Sequence, residues 1–220
     1  MKTVFYLIRH GQSLGNFNQT FLGHTDLDLS PLGYTQAELT ANALRNVPFD
    51  YIYSSDLIRA YNTAVPNAKI HGLEISTEKD LREIYIGDWE GLTVDVIMQE
   101  YEEEFINGWR RNFGLSCPPG GESVLKAGAR FSNALKSIAT RHPGACILVT
   151  AHAAVIRSFW SDIIGLAPCD YATGLSFPGN ASYSICEYEK GAFKPIAYSV
   201  CDHLGDLATF VDERIVEKTN

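Results

Sequence analysis

Long apolar runs recur along the chain, and each ends in polar or charged residues. The stretches TVFYLIRH (residues 3–10) and ACILVTAH (residues 145–152) are almost continuously apolar until their last positions. A strand that is covered by helices on both faces of a parallel sheet has this pattern. The shorter stretch FDYIYSS (residues 49–55) is similar. These runs predict buried strands in a mostly parallel sheet.

Between these runs, apolar residues recur at the spacing of amphipathic helices. A helix is predicted over residues 29–46, with Ser30 as its N-cap and Pro31 at the first helical position. Further helices are predicted over residues 56–65 and 153–165. The clearest helix lies within residues 120–144, where one stripe contains Val124, Ala127, Phe131, Leu135 and Ile138.

The order of these segments predicts the fold class. Strand-like and helix-like segments alternate, which is typical of an α/β fold with a mostly parallel central sheet and helices on both faces. Near the end, residues 182–189 and 193–200 flank the turn KGA and predict an antiparallel hairpin at the edge of the sheet. We see no internal repeat and no low-complexity linker, so we expect one domain over residues 1–220.

Residues 93–122 interrupt the alternation. An apolar stripe runs from Val94 through Ile97 and Tyr101 to Phe105, followed by a turn-rich stretch. One interpretation is a helical excursion over the sheet, which makes this segment a candidate lid or substrate-specificity insertion. The other is an ordinary surface helix with a loop.

Composition narrows the classes of partner. The chain has 220 residues, 45% of them hydrophobic, and a formal net charge of −8. An acidic chain is a poor match for nucleic acid or an anionic membrane surface, so we expect neither as a partner. An anionic small molecule remains a suitable substrate if the arginines cluster locally.

The cysteines and the first residues give expectations about metals and localisation. The five cysteines lack zinc-ligand spacing, so we expect no metal site. The starting stretch MKTVFYLIRHG has an apolar run too short for a signal peptide or a membrane span. We therefore expect a cytoplasmic protein.

Charged side chains and histidines follow several of the predicted strands. In open α/β sheets, ligands bind beyond the carboxyl ends of the strands. Arg9 and His10 end the first strand, His152 follows the strand 145–151, and Arg59 falls in the first helical turn after residues 49–55. The turn-rich stretch before Gly87 adds Glu83. We expect these five side chains to converge at one edge of the sheet.

Such a set suits phosphoryl chemistry. Arginine presents a fork of donors that matches phosphate oxygens, and two forks can neutralise charge in a transition state. A neutral imidazole can attack phosphorus, and a carboxylic acid can protonate the leaving oxygen. The backbone amides after His152 suit an anion if they begin a helix. Each histidine alone is more often an ordinary polar residue at a strand end.

The motifs as a set resemble those of the histidine phosphatase superfamily, also called phosphoglycerate mutase-like. LIRHGQSLGN is similar to the arginine–histidine–glycine signature of that family. Further matches follow in the family's order and span nearly the whole chain: DLDLSPLGYTQA, YIYSSDLIRAYNTA, LREIYIGDWEGL, PPGGES, ILVTAHAAVIR and CDHL. The resemblance implies an enzyme that works through phosphohistidine, with no metal and no cofactor.

The resemblance also implies roles for individual residues. His10 matches the nucleophile and Glu83 the proton donor. The matches for phosphoryl binding are Arg9, Asn16, Arg59, His152 and the backbone of Ala153. The chain departs from the family at Ala153 and Ala154, where glycines are common, and at Leu22, where a polar side chain often reaches substrate.

Three functions remain open at this point. The expected activity is that of a phosphomonoesterase acting on small phosphorylated molecules. A mutase commonly has an arginine after the catalytic glutamate, where this chain has Ile84, which favours hydrolysis. A non-catalytic phosphoryl-binding module should lack the nucleophile or the acid, and both are present. Candidate lining residues of a substrate pocket are Trp109, Arg110 and Arg111, and Asp88 and Glu90 are the next candidate acids.

Overall fold

A central β-sheet organises the structure. The computed structural model describes residues 1–211 and residue 215. Within these residues, six strands form one sheet in the order β3-β2-β4-β1-β5-β6. The strands are β1 (Thr3–Arg9), β2 (Tyr51–Ser54), β3 (Ile75–Thr77), β4 (Cys146–Ala151), β5 (Tyr183–Glu189) and β6 (Ala192–Val200).

Strand directions confirm the mostly parallel sheet. β1 pairs with β4, β4 with β2, and β2 with β3, all in parallel. β5 runs antiparallel to β1 and to β6, so the predicted hairpin is present, with β6 at the edge. The register pairs Arg9 with Ala151, which brings the carboxyl ends of β1 and β4 side by side.

Helices cover both faces of the sheet. The described helices are α1 (Leu14–Phe17), α2 (Pro31–Leu44), α3 (Ile58–His71), α4 (Val94–Glu100), α5 (Val124–Arg141), α6 (Ala153–Ile163) and α7 (Tyr171–Gly174). Phe5 and Leu7 of β1 belong to the core beneath α5 and α6, whereas Ile8 belongs to the core on the other face, with Leu44 and Ala64. Alternate residues of one strand therefore point into two cores, which explains the continuous apolar run.

Local sequence accounts for where the helices begin and end. Ser30 Oγ accepts from Gly33 N at 3.1 Å at the start of α2, with Pro31 as its first residue. Ser123 accepts from the Lys126 amide in the same way at the start of α5. The apolar stripe of α5 is buried, as its periodicity predicts.

Residues 93–122 form a chain of short helical segments. α4 is followed by a π-helical segment, Glu104–Arg110, and by a 3₁₀ turn, Phe113–Leu115. Val94, Ile97 and Phe105 are buried, so the predicted stripe faces the core. No helix among the described residues has the length and apolar character needed to cross a bilayer.

Candidate active site

A pocket opens beyond the carboxyl ends of β1 and β4. Its volume is about 110 Å³. Seven of the candidate site residues are among those that line it: Arg9, His10, Asn16, Arg59, Glu83, Trp109 and Ala153. The parallel pairing of β1 with β4 and of β4 with β2 brings these segments together, because all three strands end at the same edge.

His10 directly follows β1 and is buried, with 5% of its surface exposed. Its Nδ1–H donates to the carbonyl oxygen of Gly11 at 2.7 Å. Because a carbonyl oxygen only accepts, Nδ1 carries the ring proton, and the lone pair of the neutral ring is on Nε2. Burial, followed by the charges of Arg59 and Arg9, lowers the pKa of His10 well below 6.5. The ring is therefore neutral at neutral pH, which is the nucleophilic form.

The backbone around His10 is held from both sides. Ala181 N donates to the His10 carbonyl at 3.2 Å, and Gly11 N donates to Thr63 Oγ1 at 3.0 Å. A Cβ on Gly11 would collide with the carbonyl oxygen of Gly33. The signature glycine therefore allows the turn after β1 to lie directly against the start of α2.

Two buried arginines stand beside His10. Arg9 Nη1 donates to the carbonyl oxygen of Pro178 at 2.7 Å. Arg59 Nη2 donates to Gly23 O at 2.8 Å, and its Nη1 donates to Thr25 O at 3.0 Å. Burial lowers the pKa of each arginine to about 10, so both remain cationic at neutral pH. Carbonyl acceptors fix the two guanidinium groups without neutralising them, which leaves their charge available to an anion.

His152 lies next to His10, although it is not among the residues that line the pocket. Its ring centroid is 5.2 Å from that of His10, and its Nε2 is 2.9 Å from Ser55 Oγ. Since Leu57 N donates to the same oxygen at 3.3 Å, the Ser55 hydroxyl proton is available for Nε2. This arrangement favours the tautomer that carries its proton on Nδ1. Burial, followed by the charge of Arg59, lowers the pKa of His152 well below 6.5.

Glu83 lies at the start of α6. Its Oε2 accepts from Ala154 N at 3.0 Å, and its Oε1 accepts from Val155 N at 3.2 Å and from Ile84 N at 2.9 Å. The anion expected at the amides after His152 is thus, in part, the protein's own carboxylate. A carboxylate is stabilised by the N-terminus of a helix.

Asn16 and Ala153 complete the polar lining. Asn16 Oδ1 accepts from Asn180 Nδ2 at 3.1 Å and from Ser13 N at 3.1 Å, so its own amide hydrogens remain available to a ligand. Ala153, the first residue of α6, is buried and lines the pocket. Its backbone amide has no acceptor among the described residues.

The wall beyond the arginines is apolar. Trp109 contributes to it, so the 93–122 segment does reach the pocket. Arg110 and Arg111 do not line the pocket, and Arg111 Nη1 donates instead to Asn107 Oδ1 at 3.1 Å. The other apolar side chains of the wall are Phe21, Leu22, Ile84, Ile86, Ala154, Phe177, Val211 and Ile215.

Residues 5–200 match the sequence profile of the histidine phosphatase superfamily (branch 1). The chain belongs to this superfamily. It therefore belongs to a family of enzymes that includes phosphatases and phosphoglycerate mutases. Arg9, His10 and Gly11 lie at the start of the matched region, which also contains His152.

Relatives in the superfamily carry both kinds of activity in their names. Phosphoserine phosphatase 1 of Hydrogenobacter thermophilus is 32% identical over 91% of this chain and 93% of its own length. A 2,3-bisphosphoglycerate-dependent phosphoglycerate mutase of Allorhizobium ampelinum is 37% identical over 72% of this chain and 78% of its own. The structure of a mycobacterial glucosyl-3-phosphoglycerate phosphatase superposes with a TM-score of 0.82 at 27% identity, covering 91% of this chain and 100% of that one. The fold is therefore the one expected of the superfamily.

Two residues of this candidate site gave no signal in the sequence. Ser55, the partner of His152, stands in a run of polar residues at the end of β2. Phe177 reaches the pocket from the segment before β5, more than 150 residues after His10. Contacts between such distant segments have no periodic pattern, so only the folded chain identifies them.

Proposed function

We propose that this protein is a metal-independent phosphatase that hydrolyses small phosphate monoesters through a phosphohistidine on His10. The observation that carries the proposal is the hydrogen bond from His10 Nδ1–H to Gly11 O at 2.7 Å. It leaves the lone pair on Nε2, in a pocket that Arg9 and Arg59 also line. A neutral imidazole beside two guanidinium groups is suited to attack on a phosphoryl group.

In the first step, His10 Nε2 forms a bond to phosphorus while the bond from phosphorus to the ester oxygen breaks. The electron pair of the broken bond goes to the ester oxygen, which takes a proton from Glu83 in its carboxylic acid form. The carboxylate that results is the form stabilised by the backbone amides at the start of α6. Arg9 and Arg59 neutralise the growing charge on the phosphoryl oxygens. Further donors are Asn16 Nδ2, the Ala153 amide and His152 Nδ1–H, which is buried without an acceptor in the described part of the chain.

In the second step, water attacks the phosphohistidine. The Glu83 carboxylate accepts a proton from the water as its oxygen bonds to phosphorus, and the bond between phosphorus and Nε2 breaks. His10 recovers its lone pair and inorganic phosphate leaves. No metal is needed in this scheme, because the two arginines supply the positive charge.

Phosphoryl transfer between hydroxyl groups, as in a mutase, is the second candidate, because a relative named as a mutase is 37% identical. The composition of the pocket supports hydrolysis instead. A phosphoglycerate brings a carboxylate besides its phosphate, yet the basic side chains among the described lining residues are Arg9, His10 and Arg59 alone. Ile84, the residue after the proposed acid, is buried in the apolar wall.

The 93–122 segment is proposed to contribute to substrate selection. Its Trp109 lines the pocket and makes edge-on contacts with Phe21 and Trp89, at centroid distances of 5.8 and 5.9 Å. These contacts join the segment to the loop after α1. Substrate groups beyond the phosphoryl site would therefore meet both parts of the chain.

Rapid quenching of the enzyme with a radiolabelled phosphate monoester, in the presence of a chelator, tests the proposal. We expect an acid-labile, alkali-stable phosphoenzyme that His10→Ala abolishes together with turnover. His71→Ala, at the end of α3 and away from the pocket, is the matched control and should trap label normally. Full turnover by His10→Ala, or loss of turnover with the chelator, would refute the mechanism.

Product analysis separates the two candidate reactions. With either phosphoglycerate isomer, a phosphatase releases inorganic phosphate or leaves the compound unchanged. Rapid interconversion of the isomers with little release of phosphate would instead assign the chain to phosphoryl transfer.

A further inference from the structure

Glu90 is a second carboxylate near the pocket, but it does not line it. It follows the 3₁₀ turn Gly87–Trp89, whose Trp89 side chain is completely buried. Glu90 Oε1 accepts from His24 N at 2.6 Å, and Oε2 accepts from Thr25 Oγ1 at 2.8 Å. The two carboxylate oxygens of Glu90 therefore hold one short segment, residues 23–25, which we call the 23–25 turn.

The 23–25 turn also contacts two residues of the proposed site, Arg59 and Glu83. The carbonyl oxygens of Gly23 and Thr25 accept from the two terminal nitrogens of Arg59, at 2.8 and 3.0 Å. His24 Nε2–H donates to the backbone carbonyl of Glu83 at 2.8 Å. The position of the Arg59 guanidinium thus depends on a turn that Glu90 fixes.

We propose that Glu90 is a positioning residue, which holds the 23–25 turn so that Arg59 meets the phosphoryl group in the correct orientation. This inference rests on the proposed function, in which Arg59 binds the phosphoryl group. Gly23 adopts a positive φ of 50° and adds no side chain. The turn is also held by the hydrogen bond from Thr25 N to Leu22 O at 2.7 Å and by the bond from His24 to Glu83 O, and Glu90 adds a bond to each of two of its residues. A misplacement of about 1 Å can lower a rate by about 10²-fold.

The same geometry argues against Glu90 as the general acid. Glu83 lines the pocket, and Glu90 does not. A positioning residue and an acid also differ in a measurable way, since only the loss of an acid should depend on the leaving group.

The test measures the affinity for inorganic phosphate by calorimetry and the single-turnover rate of phosphoenzyme formation. Glu90→Ala should weaken phosphate binding about tenfold and slow phosphorylation by about 10–100-fold, equally on an alkyl and an aryl phosphate. Thr25→Val removes one of the two bonds with little change in shape and should show a smaller loss of the same kind. Glu78→Gln, a carboxylate paired with Arg141 on the surface, is the matched control and should behave as wild type.

A double-mutant cycle with Arg59 decides whether Glu90 acts through that side chain. Once Arg59→Ala has removed the guanidinium, adding Glu90→Ala should cost little more, because residues that act as a unit are not additive. A full additional loss in the Arg59→Ala background, or a larger loss on the alkyl ester, would overturn the inference.

The Arg59→Ala protein alone separates this inference from the proposed function. Normal phosphate affinity in Arg59→Ala would refute the proposed phosphoryl-binding role itself. Weak binding by Arg59→Ala together with normal binding by Glu90→Ala would refute only the positioning role of Glu90.

Discussion

The Glu83 carboxylate accepts a hydrogen bond from the backbone amide of Ala154 at 3.0 Å, on the first turn of the helix that follows His152. The other oxygen accepts from Val155 N and Ile84 N. The proposed acid is therefore oriented by backbone groups and not by another side chain. It lines the same pocket as His10, where the leaving oxygen of a phosphate ester would lie.

Replacement of Glu83 by glutamine should lower the rate by an amount that depends on the leaving group of the substrate. A general acid contributes about 10²–10⁴-fold, so Glu83→Gln should lose a factor of that order on an alkyl phosphate. On an aryl phosphate the loss should be much smaller, because a phenolate leaves without a proton. Single-turnover phosphorylation on both substrates measures this difference. Equal losses would mean that Glu83 acts by holding the start of α6, and phosphate affinity should be unchanged if only proton donation is lost.

Much of this site could be predicted from the ends of the strands. Arg9, His10 and His152 each follow an apolar run, and parallel strands end at one edge, so their convergence follows from topology. The same argument predicts the position of Arg59, because this residue lies in the first turn of the helix after β2. The role of Glu83 came from the family resemblance, and its contacts with Ala154 and Val155 were not predictable.

Other features carry no local signal. β3 is a short strand of three residues, Ile75–Thr77, none of them buried, so it has no apolar run. The stripe from Val94 to Phe105 was predicted, but the break at Tyr101 and the π-helical turn after it were not. The contacts of Glu90 with the 23–25 turn join segments more than 60 residues apart.

The pH dependence of phosphoenzyme formation should reflect the environment of His10. Burial and the neighbouring arginines lower its pKa well below 6.5, so the nucleophile stays neutral into the acid range. The acid limb of kcat/KM that reports His10 should therefore lie below pH 6.5. A limb at or above that value in the wild type, measured with an aryl ester to suppress the contribution of Glu83, would contradict this expectation.

The same shifts predict how stability changes with pH. His10 and His152 both have folded-state pKa values below the unfolded value of 6.5. At a pH between the folded and unfolded pKa values, the unfolded chain binds more protons than the folded chain. The free energy of unfolding is therefore at its full value above pH 6.5 and decreases as the pH falls below 6.5. Urea unfolding across this range should show the loss, and His152→Gln should reduce its pH dependence.

The contact between the turn after β1 and the first turn of α2 should make Gly11 intolerant of a side chain. A Cβ there would collide with Gly33 O, so Gly11→Ala should destabilise the fold by about 1–3 kcal/mol and displace His10. Gly108→Ala is a suitable control, because its Cβ would lie 3.4 Å from Ser116 Oγ, an ordinary contact. Chemical denaturation of both variants gives the comparison, and equal stabilities would contradict the packing argument.

The apolar wall predicts a preference for uncharged, apolar leaving groups. Leu22 is 8% exposed and lines the pocket beside Phe21 and Trp109. An aryl ester should bury surface there, whereas phosphoserine would place two charges against the wall. Leu22→Asn keeps the size of the side chain but makes it polar, so it should lower kcat/KM for a naphthyl phosphate about tenfold and raise the relative rate on phosphoserine. Leu27→Asn changes a partly exposed leucine outside the pocket and should leave both rates unchanged. If Leu22→Asn and Leu27→Asn gave the same substrate preference, the wall would not select the leaving group.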